Sequence, residues 1–368
     1  MKPLPQATLK PQNKPIEKER SACSSASLSH SGIFLGEKCY WNPATLRNGH
    51  AVVLGTSGSG KTQTLKSMAY ELPSLFPEIK IVLIDLHGDL GLPNEVCYRL
   101  DAESPHGLNP LVLDLDPRGG GPDLQSIGIS SILRKSLKMG DNQQGLLLNC
   151  FISCYENRGI FQKKQSTWTN QPPTFADLEA ELESRVEDGC KDSEKLLLKM
   201  AATFKYGIFS KPQPSLDFPL VRFDLSALAK VPGLSAIAAE TLLKQLLDSH
   251  KLQGEIKDKT PRCYVILDEC KEVKSSETLA RISAEARKFG LCAVVASQRD
   301  AHISGEVLAN SSLKLVLAVD ETEIASVKKR FRFSETMIAS LQPLEALVRM
   351  DGDGIKTKIL PYYLRVQP

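Results

Sequence analysis

The run Gly55-Thr56-Ser57-Gly58-Ser59-Gly60-Lys61-Thr62 fits the phosphate-binding pattern G-x-x-x-x-G-K-[ST]. Its flanks fit as well. Ala51-Val52-Val53-Leu54 reads as a buried strand entering the loop, and Gln63 to Leu72 as a helix leaving it, with Leu65, Met68, Ala69 and Leu72 at helical spacing. Glycines let the backbone curl until successive N–H groups converge on a phosphate, aided by the dipole of the following helix. Residues Gly55, Thr56, Ser57, Gly58, Ser59, Gly60, Lys61, Thr62 and Gln63 are therefore expected to hold a nucleoside triphosphate. Lys61 reaches the β- and γ-phosphates, and the Thr62 hydroxyl ligates Mg²⁺. A Gly/Ser turn that matches by chance has no reason to sit between a strand and a helix.

Hydrolysis needs a carboxylate for the metal shell and another to activate water. The most apolar strand of the second half, Cys263-Tyr264-Val265-Ile266-Leu267, ends in Asp268-Glu269. Asp268 is expected to bind Mg²⁺ or its waters, and Glu269 to act as general base. An acidic pair can also do no more than cap the next helix; the phosphate loop upstream gives this one a partner. The next strand, Ala293-Val294-Val295-Ala296-Ser297, ends in Gln298, placed to sense a γ-phosphate. Arg287 closes the helix between them. There it either opposes the C-terminal dipole or reaches a neighbouring subunit's γ-phosphate as an arginine finger. The expected ligands are ATP and Mg²⁺.

Composition bounds the rest. With 368 residues, 42% hydrophobic and 24% charged, the chain has room for a large core. A net charge of +3 is too mild to argue for nucleic acid by itself. The nine cysteines contain no C-x-x-C pair and the six histidines are scattered, which argues against a zinc site. Thiols on this scale point to a reducing cytoplasmic setting. No apolar run of membrane-spanning length and no signal peptide are visible.

Residues 1–35, rich in proline, serine and lysine, are expected to be a disordered leader. Residues 36–122 form the first part of the nucleotide-binding domain, with a second strand over Lys80 to Asp85. Residues 123–210 show only helical periodicity and read as an inserted helical subdomain. Residues 211–368 complete the domain, with strands over Pro219–Leu225, Cys263–Asp268, Leu291–Ser297 and Leu313–Val319, a helix over Leu234–Leu252, and antiparallel edge strands within Ala346–Arg365. Alternation of strands and helices predicts an α/β fold, a doubly wound and mainly parallel P-loop sheet with an all-helical insertion.

Three segments in order, Tyr264 to Cys270 with its Asp-Glu pair, Ala286-Arg287-Lys288-Phe289-Gly290, and Ala296-Ser297-Gln298, resemble the HerA/FtsK superfamily of ring-forming, RecA/FtsK-like ATPases. Asp85-Leu86-His87-Gly88-Asp89 is similar to the D-x-H-G-[DE] signature of these proteins, and Asn109-Pro110-Leu111 to their N-P-L turn. The resemblance implies a homohexamer with ATP between subunits, acting as a motor or helicase on double-stranded DNA. It makes Arg134-Lys135, Lys138 and Lys328-Lys329-Arg330-Phe331-Arg332 candidates for gripping DNA, with Arg330 and Arg332 as rivals to Arg287 for the trans arginine. Two alternatives stay open: a conjugation or type IV secretion ATPase energising membrane-channel subunits, or a nucleotide-gated ring regulating an accessory nuclease in phage defence. The β-barrel, transmembrane helices and winged helix carried by various members are not expected here, so targeting and any membrane association come through partners.

Overall fold

A computed structural model describes residues 32–352 and 354–366. The stretch read as a leader lies outside it except for its last four residues, and a strand opens among those. This strand, β1 (Ile33–Gly36), forms a hairpin with β2 (Cys39–Trp41). The other strands, β3 (Ala51–Leu54), β4 (Lys80–Asp85), β5 (Val96–Arg99), β6 (Leu220–Asp224), β7 (Cys263–Asp268), β8 (Leu291–Ser297), β9 (Leu313–Val316), β10 (Glu345–Met350) and β11 (Gly354–Lys358), make one sheet. Its order is β11-β10-β9-β3-β8-β7-β4-β6-β5. From β9 to β5 every pairing is parallel; β10 and β11 add an antiparallel edge.

Strands β3, β7 and β8 are buried along their whole length, which is why they read as continuous apolar runs rather than alternating ones. Alternate residues serve two cores. Ala51, Val53, Tyr264 and Ile266 face α1 (Lys61–Leu75) and the β1–β2 hairpin. Leu65, Met68 and Leu72 of α1 are fully buried there, worth roughly 1.5–3 kcal/mol each. Val52, Leu54, Val265 and Leu267 belong to the other core. Between β5 and β6 that core takes in α2 (Pro122–Ser136), α3 (Asp141–Asn157), α4 (Phe175–Glu187) and α5 (Lys191–Tyr206). It then includes α6 (Leu234–Leu252) and α7 (Glu277–Glu285).

Two details differ from the sequence expectation. The short edge strand β5 was not foreseen, because its residues alternate between half-buried and exposed and include Arg99. The last sheet strand before the edge hairpin stops at Val316 rather than Val319. Ala318 leaves the ladder, and its carbonyl accepts from the Thr56 N–H at 2.9 Å.

Among the described residues no helix is long and apolar enough to cross a membrane.

Candidate functional site

Parallel strands end at a common edge, and the sequence puts its polar residues there. Asp85 at the end of β4 is the register partner of Asp268 at the end of β7, and Leu54 of β3 is that of Ser297 of β8. The phosphate loop springs from this edge, where the Gly55 N–H donates to the Ser297 carbonyl at 3.1 Å.

Two glycines in the loop cannot be replaced cheaply. Gly60 has φ +106°, and a Cβ there would come within 2.6 Å of Leu344 Cδ2. A Cβ on Gly55 would meet Ser59 Oγ at 2.4 Å. Ser59 is buried inside the loop, its hydroxyl donating to the Thr56 carbonyl at 2.7 Å, while its own carbonyl accepts from the Leu344 N–H. The loop is thus pinned on both sides before α1 begins at Lys61.

A cavity of about 440 Å³ lies over this loop. Thr56, Ser57, Gly58, Gly60, Lys61, Thr62 and Gln63 line it from below, and His87, Asp89, Asp268 and Gln298 from the sides. The Lys61 ammonium donates to the Thr56 carbonyl at 3.2 Å. Burial pulls its pKa below the ordinary lysine value, opposed by the charges of Asp268, Glu269 and Asp89. Asp268 is buried, and burial first and Asp89 second push its carboxyl up to about 6, against the attraction of Lys61. The Thr62 hydroxyl donates to Asp89 at 3.3 Å. The oxygens of Thr62 and Asp268 suit a hard cation such as Mg²⁺, and phosphate and water would supply its remaining ligands.

Glu269 follows at φ +64°, a conformation that non-glycine residues keep only where surroundings hold them. One carboxylate oxygen accepts from the Ser297 hydroxyl at 3.2 Å and the other from the Gln298 N–H at 3.2 Å. His302 Nδ1 lies 3.4 Å from the first oxygen. Glu269 and the end of β8 are therefore one connected unit.

Sequence reasoning gave no role to four residues at the site: His87, Asp89, Ser297 and His302. The first two are carried by a turn organised by Asp85. Its buried carboxylate accepts from the N–H groups of His87, Gly88 and Leu90 at 3.2, 2.7 and 3.0 Å and pairs with Arg222 at 3.1 Å. The D-x-H-G-D spacing was the available signal. His302 has none, because it reaches Glu269 from a separate loop.

Arg287 is not part of its own subunit's cavity. It lies in a turn over Ala286–Phe289 just before β8, where its charge acts on His50 and Cys292 at the amino ends of β3 and β8. Arg330 is engaged internally with Asp300 and the Ile303 carbonyl. Arg134 and Lys135 pair with Asp141 and Glu277 at 2.5 and 2.6 Å. Arg332 is exposed.

Residues 40–110 match the family model described as the central domain of helicase HerA, and residues 232–326 that of the type IV secretion-system coupling protein DNA-binding domain. The first match covers the phosphate loop and the Asp85–Asp89 turn, and the second covers Asp268, Glu269 and Gln298. Between them the two matched segments carry most of the motifs that resemble the HerA/FtsK superfamily of P-loop ATPases. A stretch of 128 residues is 30% identical to the DNA import protein CedB of Sulfolobus acidocaldarius; it amounts to 33% of this chain and about a fifth (21%) of that protein.

Likeness of fold extends over nearly the whole chain. VirB4 of Thermoanaerobacter pseudethanolicus superposes with a TM-score of 0.78 at 17% identity, covering 94% of this chain and 100% of that one. The plasmid coupling protein TrwB in complex with ADP and Mg²⁺ gives 0.59 at 15% identity, covering 84% and 85%. The α/β class and mainly parallel sheet expected from the sequence are the fold that these structures share with this chain.

Proposed function

We propose that the chain is a Mg²⁺-dependent ATPase that assembles as a hexameric ring and translocates double-stranded DNA. The observation that carries the reading is the meeting of Lys61 and Thr62 at the end of β3 with Asp268 at the end of β7 around one cavity. Lys61 and the loop N–H groups would hold the phosphates, and Thr62 with Asp268 would hold Mg²⁺, which when bound neutralises phosphate charge. Glu269 takes a proton from the attacking water, and Gln298 reads the γ-phosphate from its place in the cavity wall. The link through Ser297 and the Gln298 N–H gives such a reading a path to Glu269. The place of Arg287 away from its own Lys61 supports donation in trans. ATP turnover measured with and without duplex DNA, alongside the mass of the assembly, tests the reading; turnover indifferent to DNA in a monomer would overturn it.

The match to a coupling-protein DNA-binding domain and the similarity to a DNA import protein favour a second reading, an ATPase energising a membrane channel for conjugation or secretion. Co-purification with channel subunits, and preference for single-stranded DNA or protein over duplex, would support it over the first.

A further inference from the structure

At the opposite, amino-terminal ends of β3 and β9 the surface opens into a second cavity of about 930 Å³. Its lining includes Arg47, Lys314, Arg330, Arg332 and Arg349, with Asp351 as the one acidic residue described there. Five cations thus face one carboxylate, in a chain whose whole net charge is only +3. The cavity shares no lining residue with the one over the phosphate loop. We propose that this cleft binds the phosphodiester backbone of nucleic acid. The proposal rests on the DNA-handling reading above and adds where the polymer is held.

The cations differ in how they are occupied. Asp351 takes up Arg47 through its guanidinium at 2.9 Å and its N–H at 3.0 Å. Arg330 is tied to Asp300 and Ile303. Arg349 is fixed rather than neutralised: it donates to the carbonyls of Gly352 and Arg332 and stacks 5.1 Å above the Phe333 ring. Lys314 and Arg332 make no salt bridge among the described residues, although the Asp351 charge acts on Lys314.

Lys314 stands on β9 directly across the ladder from Arg349. Burial lowers its ammonium's pKa, and Arg47 and Arg349 lower it further. Arg332 caps the helix over Ile324–Phe331 at φ +60°, its own carbonyl held by Arg349, so its side chain is presented from a constrained backbone at the rim. Like charges assembled at this density repel until an anion enters, and forked guanidinium groups match phosphate oxygens in pairs. A phosphodiester strand meets an open, arginine-rich cleft without asking for base-specific contacts. The segment that matches the coupling-protein DNA-binding domain includes Lys314.

The test uses the full chain, a short fluorescent duplex and a salt series between about 50 and 200 mM. Lys314→Gln and Arg332→Gln, alone and combined, are titrated by fluorescence anisotropy, with fluorescent ADP affinity and thermal unfolding as controls. The double variant is expected to lose more than about tenfold in duplex affinity, and its log–log salt slope to flatten by about 2, near 0.9 for each lost phosphate contact. The ADP affinity of Lys314→Gln should stay unchanged. Should Lys314→Gln fail to fold, the exposed Arg332→Gln alone must flatten the slope by about 1. A wild-type protein that binds duplex, with variants binding equally well at the same slope, overturns the cleft and leaves the DNA reading standing. A change in assembly mass without a change in duplex affinity makes this face a subunit contact and also overturns it. A wild-type protein that binds no duplex at low salt removes the DNA reading and the cleft together.

Discussion

The Glu269 carboxylate accepts a hydrogen bond from the Ser297 hydroxyl at 3.2 Å, which ties the end of β7 to the end of β8. Glu269→Gln keeps the shape and the cavity but removes the proposed base. ATP binding is expected to persist while turnover falls by about 10²- to 10⁴-fold. Ser297→Ala removes only an orienting bond, and its loss should be roughly tenfold or less. Single-turnover assays beside nucleotide titrations separate the two effects. A Glu269→Gln enzyme with near-normal turnover would remove Glu269 from the chemistry.

Lys61 is a buried cation whose hydrogen bond is to the Thr56 carbonyl, an acceptor that a phosphate oxygen can replace. Lys61→Ala is expected to weaken ATP binding by about 10- to 100-fold, the range for one charged hydrogen bond. The Thr56 carbonyl has other company, since the Ser59 hydroxyl and N–H also donate to it, so the loop itself should keep its shape. Fluorescent-nucleotide titration reads the loss, and unchanged affinity would place the phosphates elsewhere.

Most of the central sheet is legible in the sequence because its strands are buried on both faces. Cys263–Asp268 and Leu291–Ser297 leave the apolar run no other arrangement, and the polar residues that end them mark the edge. The phosphate loop is legible for a similar reason, since only glycine tolerates the φ of Gly60 and the crowding at Gly55. What stays hidden depends on long-range contact. His302 meets Glu269 across a gap of 33 positions, β5 exists only by pairing with β6, and the cleft of Arg47, Lys314 and Arg349 gathers residues some 300 positions apart. No local pattern announces such meetings.

Arg287 lies at the other end of the strands from its own Lys61, so a catalytic effect of Arg287→Ala has to come through a neighbour. Loss of a trans arginine is expected to lower turnover by on the order of 10³-fold. Mixing Arg287→Ala with Lys61→Ala subunits should restore part of it, since some interfaces then hold an intact loop facing an intact arginine. Activity of the mixture across ratios is the measurement, and a flat, inactive series would leave Arg287 as a residue of the helix end.

His50 gives a stability prediction that also reports on Arg287. The imidazole is buried, and its Nδ1 accepts from the Ala293 N–H at 3.0 Å, a bond only the neutral ring with its proton on Nε2 can make. Burial first and the Arg287 charge second hold its pKa at about 4, against an unfolded value near 6.5. Below pH 6.5 the unfolded chain takes up a proton that the folded one refuses, so stability is complete above that pH and drains away as pH falls toward 4. By pH 5 the loss from this one group is about 2 kcal/mol. Denaturant midpoints compared at pH 7 and 5 should fall less for His50→Gln than for wild type, the amide oxygen still accepting from Ala293. Arg287→Ala should shrink the same difference in part, by lifting one of the two causes. Identical slopes in all three proteins would mean that His50 does not titrate between those values.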